Sequence, residues 1–177
     1  MLPFVGYVST PPEGSGQESS VVDSKNQVKT VGYEKDFQDL ADYRQSQGMP
    51  VAGSVDDKHT AAKLIFGDNE YYGHNGHGMQ DEVKGAFSVN AQTATHAEGL
   101  AFYNAKTSGV EGTSATLITD RPACASCGYY GGIRSMAKDM GINDLTVVSP
   151  NNAPITFNPQ VKPIPNPFPK PVPKTIR

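Results

Sequence analysis

The sequence predicts an α/β fold: a three-layer sandwich with a central mixed sheet of about five strands flanked by helices. Three observations predict it. Two short apolar or aromatic runs flank "GDN" in TAAKLIFGDNEYYGHN, a hairpin signature. Two segments with helical spacing, THAEGLAFYNAKTSG and CASCGYYGGIRSMAKDMG, each run out at a glycine. Two short runs with the composition of buried strands, ATLITD and DLTVVSP, alternate with those segments.

The elements follow in chain order. Residues 1–32 read as an N-terminal extension, with PPEGSGQESSVVDSKNQ from Pro11 to Gln27 a Ser/Gly/Glu-rich linker or loop. EKDFQDLADYRQSQG repeats apolar or aromatic residues at Phe37, Leu40, Ala41 and Tyr43 and stops at Gly48, an amphipathic helix with a glycine cap. After the hairpin, Thr95 stands as an N-cap with Glu98 three residues on, and Gly109 follows the helix end. Leu100, Ala101, Tyr103 and Ala105 suit burial on more than one side of that helix. The second glycine-ended helix begins with the cysteines, carries Ile133, Met136, Ala137 and Met140, and stops at Gly141. "ITF" is one more short strand. The folded domain therefore spans 33–150, and 151–177 is a proline-rich basic tail. Eight prolines in the 24 residues from Pro154 favour polyproline II or disorder, as an extended linker or a strap over the surface.

A chain of 177 residues supports one domain with a real core. Its net charge of −3 argues against a broad electrostatic grip on a duplex. The tail holds Lys162, Lys170, Lys174 and Arg177 and no acid, so the other 11 basic residues face 18 acids and residues 1–150 sum to −7. No apolar run approaches the roughly 20 residues that span a bilayer, which argues against a membrane partner. MLPFVGYVSTPPEG lacks a basic n-region and a long apolar stretch, so it does not read as a signal peptide. Two cysteines make no disulfide framework, and their C-x-x-C spacing points to metal or redox chemistry.

Alone, CASC fits a dithiol redox site or half of a structural metal site, and His96 alone reads as an ordinary polar residue. The combination is more specific. H-x-E, then C-x-x-C after 25 intervening residues, each opening a predicted helix with a strand between, is the pattern of zinc nucleobase deaminases. Cys124 and Cys127 are three apart, so at a helix start their Cβ atoms sit about 5–6 Å apart on one face. Tetrahedral zinc wants its sulfurs about 3.8 Å apart, within that reach. A helix N-terminus also favours the thiolate. His96 supplies a third, neutral ligand and leaves the fourth position to water. His96 and Glu98, two apart, cannot share a helix face. In the first turn both can lean past its end, His96 toward the Zn2+ and Glu98 as the proton carrier.

From about Ala61 to Pro150 the sequence resembles the cytidine-deaminase-like superfamily. Within it, THAEG, DRPACASCGYYGGI and LTVVSP resemble the deaminase toxin domains at the C-termini of bacterial polymorphic and interbacterial toxins. The resemblance implies conversion of cytosine to uracil in DNA, zinc on His96, Cys124 and Cys127, and proton transfer by Glu98. It further implies delivery within a larger toxin, action in the target-cell cytoplasm and a dedicated immunity protein as partner. Ala123 departs from the superfamily, where proline commonly adjoins the first cysteine directly.

Weaker candidates surround this set. Asn75 and His77 in GHNGHG suit a pocket rim that touches sugar or phosphate, or simply a flexible turn. Tyr129 or Tyr130 suits stacking on a base, or a core contact. Asn90 and Thr95 flank the zinc helix and suit hydrogen bonds to a nucleotide. His59 reads as an exposed loop residue. Single-stranded DNA is slightly favoured over duplex, because a duplex costs a few kcal/mol of unstacking and the acidic domain offers few cations. The rival readings are a free nucleoside or base deaminase, an RNA cytosine deaminase, and a non-catalytic zinc-stabilised binding module.

Overall fold

The computed structural model describes residues 32–172; the Pro11–Gln27 linker, Lys174 and Arg177 lie outside them. Helix α1 (Glu34–Ser46) precedes strands β1 (Ala61–Phe66) and β2 (Asn69–His74). Helices α2 (Gln80–Ala86), α3 (Ala91–Ala94) and α4 (Ala97–Thr107) lead into β3 (Ser114–Thr119). Helix α5 (Gly132–Asp139), β4 (Asp144–Val148) and β5 (Ile155–Phe157) complete the order. The five strands form one mixed sheet, β2-β1-β3-β4-β5, in which β3 and β4 are parallel and the other pairs antiparallel. This is the α/β layered architecture expected from the sequence.

Alternation along β1 builds the layers. Ala62, Leu64 and Phe66 face the larger core with Phe102 of α4, Met136 of α5 and Val83 of α2. Ala61 and Ile65 face the other side, where Leu40, Phe37 and Tyr43 of α1 cover them. Leu40, 1% exposed, contributes about 1.5–3 kcal/mol by leaving water. Lys63, on that same face, is fully buried. Its ammonium lies 2.6 Å from Asp39, 2.7 Å from Glu70 and 3.0 Å from Asp36, three carboxylates otherwise close enough together to resemble a cation site. Burial opposes its charge, but those carboxylates outweigh it and hold the ammonium well above its ordinary range.

Arg44 fastens the end of α1. It is 2% exposed and pairs with Asp57 and Asp120, while its Nε and Nη2 donate to the Pro50 carbonyl. Asp120 directly follows β3, and its Oδ1 accepts from the Ala61 N–H. One guanidinium thus holds α1, the loop 50–57 and the point where the chain leaves the sheet toward the cysteines.

Four features depart from the sequence reading. Helices α2 and α3 were not expected, because each is too short to show a periodic apolar stripe. Helix α5 starts at Gly132, so the cysteines lie in the turn before it. Gly131, at φ +89°, breaks the chain between them. The ITF strand forms as expected, as β5 paired with β4, but Phe168, 7% exposed, packs into the main core from the segment read as a tail. Finally, His59 is half-buried rather than exposed; its carbonyl accepts from Arg44 and its N–H donates to Asp57.

Candidate metal centre and active site

His96 is the N-cap of α4, with an extended backbone (φ −88°, ψ 162°). It therefore stands outside the helix, and the rule that residues two apart diverge no longer applies to it. Glu98 lies in the first helical turn, 3% exposed. The predicted Thr95 cap does not form: Thr95 closes α3, and its hydroxyl donates to the Gln92 carbonyl.

The cysteine turn comes to meet this helix end. The Gly128 N–H donates to the Cys124 carbonyl at 2.8 Å, a single turn of helix that puts both sulfurs on one side. The chain then loops, with the Gly132 N–H bonded to Ser126 O and Ile133 N–H to Cys127 O. Asn90 Oδ1 accepts from Thr93 N–H (2.8 Å) and from Ser126 Oγ (2.9 Å), so the Thr93 hydroxyl donates to Ser126 Oγ at 3.0 Å. Thr93 and Ser126 are buried, and they tie the cysteine turn to α3. A side chain at Gly132 would stand 2.6 Å from Thr93 Oγ1, so only glycine lets the turn close there.

His96 Nδ1 lies 3.2 Å from Cys127 Sγ and 3.4 Å from Cys124 Sγ. All three donor atoms fall within 4.8 Å of one another. Tetrahedral zinc with ordinary Zn–N and Zn–S bonds separates nitrogen from sulfur by about 3.5 Å, so this set fits the ion with little movement. Without metal, the hydrogen bond from Cys127, with those from His96 and the Cys127 N–H, brings the Cys124 thiol down to about 4. That thiolate and burial push the Cys127 thiol up, and the bond to Cys124 raises His96. The thiolate therefore owes its stability to its neighbours in the cluster rather than to a helix end. Burial pushes the Glu98 carboxyl up, against the pull of its own N–H and of His96.

The weaker candidates separate by position. Asn75 Oδ1 accepts from Thr60 N–H and its Nδ2 donates to Lys58 O, closing the strand ends of the hairpin. His77 Nδ1 accepts from Met79 N–H, which leaves Nε2–H to donate to Ala94 O in α3, the neutral tautomer. Burial pushes its pKa down, which favours that form. Asn90 is exposed but spends its carbonyl on the α3 cap and on Ser126. Tyr129 is half-buried against the core, with its ring centroid 5.4 Å from that of Tyr130. Tyr130 is 70% exposed.

The sequence reading missed Thr93, Ser126 and Phe168. Ser126 sits in plain view inside CASC, but its partner is 33 residues away in sequence, and no local pattern announces such a pair. Phe168 is an aromatic stranded among prolines. Its ring lies against Gly128, and Asn166 Nδ2 donates to Tyr129 O at 2.8 Å, so residues 158–169 form a strap behind the cysteine turn.

A buried carboxyl beside a His-Cys-Cys group, held by a helix end and a turn over a mixed sheet, defines a deaminase domain. The family model of the MafB19-like deaminases matches residues 37–158, and the chain belongs to that family, a cytidine-deaminase-like family associated with polymorphic toxins. No curated protein and no solved structure matches the chain. Among the described residues no helix is long and apolar enough to cross a membrane.

Proposed function

We propose that the chain is a zinc-dependent hydrolytic deaminase that converts cytosine to uracil in DNA, with single strands favoured slightly over duplex, and that it serves as a toxin domain. The observation that carries this reading is the placement of Glu98, a buried carboxyl in the first turn of α4, two residues after His96 and close enough to Cys127 and Cys124 for them to influence its ionisation. Water adds to C4 of the base, the C4–N4 bond breaks, and ammonia leaves. Glu98 carries the water's two protons in turn, the first to ring N3 and the second, released from the new C4 hydroxyl as it becomes the carbonyl, to the leaving nitrogen. His96, Cys124 and Cys127 would hold the zinc, which would supply charge that acidifies the water; two thiolates would weaken that effect, which is why the Glu98 carboxylate matters.

Target cytosine enters from outside any stack, since the reacting groups lie recessed between α4 and the cysteine turn. A single strand presents such a base at little cost, whereas a duplex spends a few kcal/mol on unstacking. The test is incubation of the chain with single- and double-stranded oligonucleotides, scored for uracil, beside the Glu98→Ala variant. Uracil formed from oligonucleotide by the parent and not by the variant supports the reading. Equal rates on free cytidine would replace it with a nucleoside deaminase, and product from RNA alone would replace DNA. If the domain is the toxic part of a larger protein, an immunity protein that covers the candidate site is the partner this reading expects.

A further inference from the structure

We propose that the cleft between the cysteine turn, α5 and the strap is a nucleotide subsite, which holds the strand next to the target cytosine. Tyr130 stacks on a base there, and Arg134 and Lys162 contact the phosphate backbone. This rests on the DNA reading above.

Charge singles out this cleft. Eleven lysines and arginines lie among the described residues, and Lys35, Arg44, Lys63, Lys106 and Arg121 are spent in ion pairs. Of the six that make no ion pair among the described residues, Arg134 and Lys138 are on α5, Lys162 is on the strap and Lys170 directly follows it. Two of those six, Arg134 and Lys162, line one cleft. The lining includes Arg134, Lys162, Tyr129, Tyr130 and Asn166 and carries no carboxylate. Arg134 donates from Nε to Val161 O, which ties the guanidinium to the strap.

Shape and position agree with charge. The cleft holds about 130 Å³, well beyond the roughly 10–15 Å³ that one water needs. Gly128, one residue past Cys127, forms part of its wall. Tyr130 presents an exposed aromatic face, held edge-to-face against Tyr129 at an interplanar angle of 81°. An exposed aromatic beside unpaired cations is the recurring means of holding single strands without reading their sequence. Prolines on either side of Lys162 keep the strap stiff, so little chain entropy is lost when a ligand binds.

The experiment uses the full chain with Glu98→Gln, which lets binding be read without turnover, and a fluorescent single-stranded DNA 12-mer lacking cytosine. Affinity is measured by anisotropy across a salt series. Tyr130→Ala should raise Kd about tenfold or more. The pair Arg134→Gln and Lys162→Gln should lower the log–log salt slope by about 1.4, at roughly 0.7 per lost phosphate contact. Lys84→Gln, an unpaired surface cation on α2, should match the parent. In the catalytically intact chain the same cleft substitutions should raise KM for a single-cytosine oligonucleotide. Parental Kd, slope and KM in all cleft variants overturn the subsite while leaving the deaminase reading intact. No uracil from any DNA by the intact chain, with binding still lost in the variants, overturns the DNA-cytosine reading and keeps the cleft as a strand-binding site.

Discussion

Phe168 presses its ring so closely on Gly128 that a Cβ added to the glycine would stand 2.8 Å from Cδ1. The same ring meets Phe157 of β5 edge-to-face, with centroids 5.7 Å apart. A residue 41 positions beyond Cys127 thereby backs the turn that carries both sulfurs. Phe168→Ala removes that support. We expect a loss of about 3–5 kcal/mol, the usual range for a buried Phe→Ala change, and faster metal loss to a chelator. Urea unfolding and a zinc-release assay check the two effects, and Phe168→Leu should recover part of each.

Glu98→Gln keeps the side chain's size in a fully buried place but removes the proton acceptor. Turnover should fall by about 10²–10⁴-fold, while metal content by mass spectrometry and thermal midpoint stay near the parent's. Metal loss in this variant would show instead that Glu98 serves to hold the site.

Gly73 of β2 lies directly under α4. A side chain there would collide with the Ala97 carbonyl and stand 2.6 Å from the Ala101 nitrogen. Both obstacles are helix backbone and cannot swing aside, so Gly73→Ala must lift the helix that carries His96 and Glu98. A cost of about 1–3 kcal/mol is expected, together with a lower rate at full metal loading, measured by denaturation and by product formation.

Acid should unfold the protein through Asp57. Burial works against its charge, yet the Gly53 and His59 N–H groups and the Arg121 and Arg44 guanidiniums prevail and hold its carboxyl well below the usual range. A carboxyl depressed in the folded state stabilises above its unfolded value of about 3.9 and loses that contribution as pH falls toward the folded value. Asp120, which shares Arg44, is pushed up by burial and moves the opposite way. Stability should therefore fall below about pH 4. Asp57→Asn should cost about 3–5 kcal/mol at neutral pH and flatten that acid limb, as followed by circular dichroism.

Much of the site was legible in the chain. H-x-E and C-x-x-C are local patterns, and a helix between hairpin and strand brings His96 toward the cysteines whatever the detail. The strands, α1 and α4 announced themselves through periodicity and glycine stops. Less visible were the elements that act over distance. The sequence suggested that the cysteines open a helix, because Ile133, Met136 and Ala137 repeat correctly just after them. Gly131 and the pull of Thr93 and Asn90 on Ser126 instead make a separate turn.

The sequence by itself picked out His96, Cys124 and Cys127, the group that the fold brings together, since the H-x-E and C-x-x-C patterns reside in residue type and short spacing. It also indicated the order of the five strands and of α1, α4 and α5, since side-chain periodicity is a local property, but not the short helices α2 and α3. Only the tertiary structure decided how those groups face one another. His96 points away from its helix because it caps α4, and the cysteine turn is held from one side by α3 and from the other by Phe168. These constraints come from contacts between residues about 30 to 40 positions apart. Their energy is gained only when the sheet has already brought the segments together, so no stretch of sequence read alone can display them.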